Sequence, residues 1–182
     1  MQKLMFPFWA DAAEQSRLNA ALLGPVKDSL LAEGVFRLRI NVPDKAVAAG
    51  QALYPEMAGD RPAALVSFFV NSARQIQGAE AALRQAGARF HGYETTETTP
   101  LPLLSPATDA RTPGFTQIAF FARLPGQSRE DFLRIWLESH TAVAIETQST
   151  FFYQQNPVLR ALSPEAPAYD AIVEESFPEA AM

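Results

Sequence analysis

The residue types able to move a proton or hold a ligand fall into a few short patterns. Phe132, Trp136 and His140 are spaced four apart, which places all three on the inward face of one helix. An imidazole near a helix C-terminus is favoured as the cation, and its pKa is lifted into the range useful for acid-base work. The same histidine is purely structural if it caps the helix or bonds a neighbouring carbonyl. Tyr153 and Gln155 alternate with Phe151 on an expected strand; facing a cavity, they form an aromatic wall with a hydroxyl and an amide to orient a planar ligand. Asp170 and Glu174 lie four apart on a strand and share a side. They serve either as a general base or as partners of Arg123 or Arg160 in an ion pair. Arg37, Arg39 and Asn41 alternate along a further strand, where two guanidiniums would anchor a carboxylate, enolate or phenolate if that face lines a cavity, and would be a solvated edge if it does not. His91 alternates with Arg89 and Tyr93.

The elements that must position these residues can be read in order. Residues 3–9 suit a strand. Leu18, Leu22, Val26 and Leu30 mark one face of a helix over 14–33, which Pro25 after Gly24 kinks or splits. Residues 35–42 alternate strictly, with Phe36, Leu38, Ile40 and Val42 on one face. The apolar run 63–70 suits a strand covered on both faces. Ser72 caps a helix that stops at Gly87, and 88–96 makes a last strand. Residues 100–114 hold four prolines with several Thr and Ser, and read as a linker. Beyond it come a strand at 115–123, a turn at Leu124-Pro125-Gly126 and a helix opened by Ser128 and Asp131 as a capping box, with Asp in place of Glu. Strands at 150–155 and 169–177 follow.

The expected class is therefore α+β. Residues 1–99 follow the βαββαβ, ferredoxin-like plan and 115–182 begin it again, as tandem units forming an α+β barrel of the dimeric type. After Phe177 the plan still calls for a helix and a strand, so either the second unit is shortened or the sequence is a fragment. Two sheet faces in one chain favour closure of the barrel within it, whereas a shortened unit leaves an edge for a second copy; a homodimer is the expectation.

Composition narrows the function. With 182 residues, 48% of them hydrophobic, the chain can bury a core. Lys plus Arg number 15 against 20 for Asp plus Glu, which argues against nucleic acid as a partner. The sequence has no cysteine and two histidines, so thiolate metal sites, cysteine nucleophiles and a three-histidine zinc site are excluded. No apolar stretch reaches the roughly 18 residues of a membrane span, and the start lacks the basic lead of a signal peptide. A cytoplasmic protein without membrane attachment is the simplest reading. Glycine loops for phosphates, dinucleotide fingerprints and metal-ligand clusters are absent from the sequence.

The stretch FARLPGQSREDFLRIWLESH, residues 121–140, resembles the EthD family of dimeric α+β barrel proteins. The likeness rests on Arg123 ending a strand, the Pro125-Gly126 turn, the Ser128 cap, and Phe132, Trp136 and His140 on the helix. FFYQQN at 151–156 and YDAIVEESF at 169–177 also fit, and together they cover roughly the last third of the chain. The resemblance implies the barrel fold and a place near the metabolism of aromatic or ether compounds, where some relatives look like decarboxylases, dehydratases or cyclases and many have no known activity.

Two functional expectations follow. One is a cofactor-independent lyase or isomerase acting on a small aromatic or carbonyl metabolite, with His140, Tyr153 and Asp170 as catalytic groups and Arg37, Arg39, Trp136, Phe151 and Gln155 holding substrate. Haem, which some α+β barrels bind through a helix histidine, is its variant. The other is a non-catalytic binding or accessory protein whose cavity holds a small hydrophobic metabolite.

Overall fold

The apolar spacings of the first half assemble as one helix layer on one sheet face. The computed structural model describes residues 1–48, 61–104 and 110–181. It divides into two units, Met1–Thr95 with Arg160–Ala166, and Thr96–Leu159 with Pro167–Met182. Both are mixed α+β with antiparallel strand pairing. Most of the stretch between the expected strands at 35–42 and 63–70, and the middle of the expected linker, lie outside the described residues. No helix among the described residues is long and apolar enough to cross a membrane.

In the first unit β1 (Gln2–Trp9) is followed by α1 (Gln15–Ala21), α2 (Lys27–Ala32), β2 (Phe36–Asn41), β3 (Ala64–Val70), α3 (Ala73–Arg84), β4 (Arg89–Phe90) and β5 (Tyr93–Thr95). The strands stand in the order β2-β3-β1-β5, with β4 also on β1. Between α1 and α2 the backbone makes a π turn over Leu22–Val26, and Gly24 leaves helical geometry at φ −112° and ψ −108°. This is the break that Pro25 imposes by lacking an N–H and crowding the preceding turn. Leu18, Leu22, Val26 and Leu30 nonetheless stay on one buried side and pack with Leu4, Phe6 and Phe8 of β1 and Val66, Phe68 and Val70 of β3. Ser72 caps α3 by accepting from Gln75 N–H. The expected strand at 88–96 is two short strands rather than one, and Gly92 between them sits where a Cβ would run into Phe6 and Leu162.

The strict alternation expected over 35–42 does not survive intact. Phe36 pairs with Phe69 but Arg39 pairs with Ser67, so one extra residue is bulged out. Arg37 takes it up in the left-handed region, at φ +53°. As a result Leu38, Ile40 and Val42 pack on the helix-covered core, while Phe36 stacks on Phe69, on the other side of the sheet.

In the second unit β6 (Thr98–Leu101), β7 (Phe115–Phe121), α4 (Arg129–Arg134), α5 (Thr141–Thr147), β8 (Phe152–Ala161, belonging here to Leu159) and β9 (Ala171–Phe177) follow in sequence. The strands stand in the order β6-β8-β9-β7. The start of the expected linker is thus a strand. Pro100 is accommodated in β6 because that strand makes only two rungs with β8, Thr98 with Gln155 and Leu101 with Tyr153. Gly114 leads into β7 at φ +83°, where a Cβ would run into the Phe177 carbonyl oxygen. The expected turn forms at Leu124, where Gln127 N–H donates to Leu124 O at 3.0 Å. Ser128 caps α4 by accepting from Asp131 N–H. The shorter Asp131 carboxylate accepts from the Ser128 hydroxyl, at 2.8 Å, and from Arg134 Nη2 at 3.1 Å.

Candidate small-molecule site

One rung of the second unit runs Leu101–Tyr153–Glu175–Gln117 across β6, β8, β9 and β7. Because strand side chains alternate, Tyr153 and Glu175 point to the same face as Gln155, Ala171 and Val173. That face is the one the helices cover, since Tyr153, Ala171 and Val173 pack with Trp136 and Ala144. Along the rung, exposure falls from the exposed Gln117 through Glu175 at 8% to Tyr153 at 0%. Phe121, Phe132, Leu133 and Leu137 line the same cluster and are only partly buried.

Trp136 sits one turn after Phe132, within the π turn over Ile135–His140 that joins α4 and α5. Its ring stacks on Phe132 at 5.9 Å and meets Phe121 edge-on at 6.0 Å. A side-chain network serves the backbone of the turn. Thr141 Oγ1 donates to Trp136 O at 2.9 Å, and Gln155 Nε2 donates to Thr141 Oγ1 at 2.8 Å and to Trp136 O at 3.5 Å. Gln155 Oε1 in turn accepts from Thr98 Oγ1 at 3.3 Å.

Two donors on this face remain without a hydrogen-bond partner: Trp136 Nε1 and Tyr153 Oη. Burial raises the Tyr153 hydroxyl above its usual value near 10.0, and the Glu175 charge adds to the rise. Trp136 and Gln155 stand near enough to offset part of that shift by easing a phenolate, although neither makes a hydrogen bond of ordinary geometry to the neutral hydroxyl. Burial likewise lifts the Glu175 carboxyl above its ordinary value near 4.5. The arrangement therefore combines a neutral phenol donor, an indole donor and a carboxyl of raised basicity, walled by three aromatic rings.

The structure brings together three of the residues singled out from sequence, Trp136, Tyr153 and Gln155. Phe151 lies just before β8, half-buried, with its ring against Gly114. His140 does not join them. The π turn inserts one residue per turn, so Thr141 takes the inward place and His140 is exposed; the helix also continues to Thr147, so His140 is not in a last turn. An exposed imidazole does not fit the axial ligand of a buried haem. The other histidine, His91 of the first unit, is 3.0 Å from Ser163 Oγ, and its pKa is lowered by burial and by Arg89.

Asp170 is engaged in structure. Its carboxylate accepts from Arg123 N–H at 2.9 Å and lies 3.6 Å from Arg123 Nε and 3.7 Å from Arg129 Nη1. Arg160 pairs instead with Glu94 at 2.7 Å. Glu174 is buried on the sheet face away from the helices of its unit, the opposite face from Glu175. Arg37 and Arg39 belong to the first unit, Arg37 with its guanidinium 4.6 Å from the Phe69 ring centroid and Arg39 beside Ser67 on the face away from the helix-covered core. Among the described residues no group of three or more His, Asp or Glu side chains could hold a metal ion.

Glu175 is the residue that sequence reasoning passed over. Its signal is legible in hindsight: Ala171, Val173, Glu175 and Phe177 make one stripe of β9, and a carboxylate breaks an otherwise apolar run. Thr141 carries no comparable signal, because nothing local marks a π turn.

Comparison with protein families matches the last third of the chain to the EthD domain. The matched stretch is residues 124–181, which are similar to the EthD domain. The match begins at the Leu124 turn and takes in α4, α5, β8 and β9, so Trp136, Tyr153, Gln155 and Glu175 all lie inside the matched stretch. Comparison with curated proteins finds no match.

Proposed function

We propose that the protein is an EthD-like, cofactor-independent lyase or isomerase acting on a small aromatic or carbonyl metabolite at the helix-covered face of its EthD domain. The observation that carries this reading is the pair of buried, unpartnered donors, Trp136 Nε1 and Tyr153 Oη, beside the carboxyl of Glu175. Buried polar atoms are almost always hydrogen-bonded, and perturbed acid-base groups gather at functional sites. A ligand oxygen supplies the missing acceptor. Tyr153, neutral at physiological pH, donates a proton to substrate, and Glu175, whose basicity is raised by burial, removes one. Phe121, Phe132 and Trp136 hold the apolar body of the ligand. In this proposal the protein works in the cytoplasm as a homodimer.

The test begins with native mass spectrometry of protein purified from its source, followed by denaturation to release bound compounds. Compounds so identified are then incubated with the wild type and with Tyr153→Phe and Glu175→Gln variants. Conversion by the wild type and its loss in both variants supports the enzyme. Saturable binding of the compound without conversion assigns a carrier role instead.

A further inference from the structure

The same donor pair, taken with the charges around it, also sets the class of ligand; this inference rests on the small-molecule site proposed above. Trp136 Nε1 is a donor only, and no acceptor meets it in hydrogen-bond geometry, although the Tyr153 hydroxyl is near enough for the indole to ease a phenolate there. Tyr153 Oη can donate or accept, but its neighbours leave its proton free as well. Gln155, the other polar side chain at hand, has its amide committed to Thr141, Trp136 O and Thr98. The buried polar atoms of the face that lack a partner are thus two atoms able to donate, and a ligand oxygen can accept from both.

The charge at the site is the second constraint. Glu175 faces Tyr153 directly across the strand pair, and among the described residues the side chains packed with Tyr153 in this cluster include no cation. A carboxylate ligand would bring a second negative charge to Glu175 in a desolvated place, with two neutral donors as its only compensation. A neutral carbonyl oxygen meets the donors without that conflict.

We infer that the site takes an uncharged aryl or alicyclic carbonyl compound, its carbonyl oxygen accepting from both Trp136 Nε1–H and Tyr153 Oη–H, and that it rejects carboxylates of the same shape. The partly buried rings of Phe121 and Phe132 flank the indole and supply the apolar surface for the body of the ligand.

Three probes of similar size and different polarity test this on the full-length protein: acetophenone, benzoate and cumene. The readout is the indole N–H resonance of Trp136 in the 15N-labelled protein, told apart from that of Trp9 by its contacts with the Phe132 ring protons. Acetophenone is expected to bind saturably and move this resonance downfield, as a new hydrogen bond requires. Cumene is expected to bind without the downfield shift, and benzoate to bind at least tenfold more weakly than acetophenone. Tyr153→Phe is expected to lower acetophenone affinity about tenfold, the loss of one well-made hydrogen bond, and to leave cumene unchanged. Benzoate binding as tightly as acetophenone, or a stationary indole resonance while acetophenone saturates, overturns the carbonyl assignment and leaves the small-molecule site standing. Failure of all three probes to bind overturns both. The wild-type comparison needs no variant, so a poorly folding Tyr153→Phe does not obscure the outcome.

Discussion

The hydroxyl of Thr141 donates to the backbone carbonyl of Trp136, five residues back along the same helix, at 2.9 Å. Five is the spacing of a π turn, and the bond helps to fix the extra residue that brings Thr141 inward and leaves His140 outward. Gln155 locks the arrangement from the sheet by donating to the same hydroxyl.

Thr141→Val keeps the shape of the side chain and removes its hydroxyl, leaving the buried Gln155 amide short of an acceptor. A loss of about 1 to 3 kcal/mol is expected from chemical denaturation, the range for stranding a buried polar group. The Trp136 indole resonance is expected to move as well, because the turn that orients the ring is loosened.

Tyr153→Phe has the opposite signature. The hydroxyl is buried without a hydrogen-bond partner, so its removal relieves a desolvated group and strands nothing. Thermal unfolding of the free protein is expected at the wild-type temperature or above it, by up to about 1 kcal/mol of stability. A loss of stability of 1 kcal/mol or more would show that the hydroxyl supports the fold.

Glu175→Gln carries a pH dependence whose sign is set by the raised carboxyl. In the unfolded chain Glu175 gives up its proton near 4.5, whereas in the folded protein burial holds the proton to higher pH. The folded state therefore gains stability from this group below about pH 4.5 and loses it as pH rises through the folded value. The Gln variant has no charge to desolvate. It is expected to match the wild type at pH 4 and to melt at a higher temperature at pH 7.

His140→Ala and Asp170→Asn separate two residues that the sequence made equal candidates. His140 is exposed and off the site, so its removal is expected to change stability by less than about 0.5 kcal/mol and ligand binding not at all. Asp170→Asn weakens the hold on Arg123 and Arg129. Both guanidiniums are about two-fifths exposed, so solvent screening limits the loss to about 1 kcal/mol. Conversion per folded molecule is expected to be unchanged for both variants.

Much of this was legible in the sequence because local rules and tertiary packing agree. Leu18, Leu22, Val26 and Leu30 mark a helix face and are buried on it despite the Pro25 break. Ser72 and Ser128 cap the helices they announce, and Tyr153 and Gln155 share a face as their spacing requires. The failures arise where one residue is added to a regular period. The bulge at Arg37 moves Phe36 across the sheet, and the π turn after Arg134 moves His140 off its face. Neither insertion has a local sequence signature, since no Gly marks the left-handed residue and no Pro marks the π turn. Pairing across strands is equally silent in a single sequence. Glu175 could be placed opposite Tyr153 only once the β8–β9 register was known.

The most direct test of a working site at Tyr153 is conversion of a co-purifying compound, followed by mass spectrometry, in the wild type and in Tyr153→Phe of equal thermal stability. Loss of about 100-fold or more in turnover, the usual scale for removing a general acid, with the variant still binding the compound, is the expected result. Full turnover by the folded Tyr153→Phe variant would contradict it.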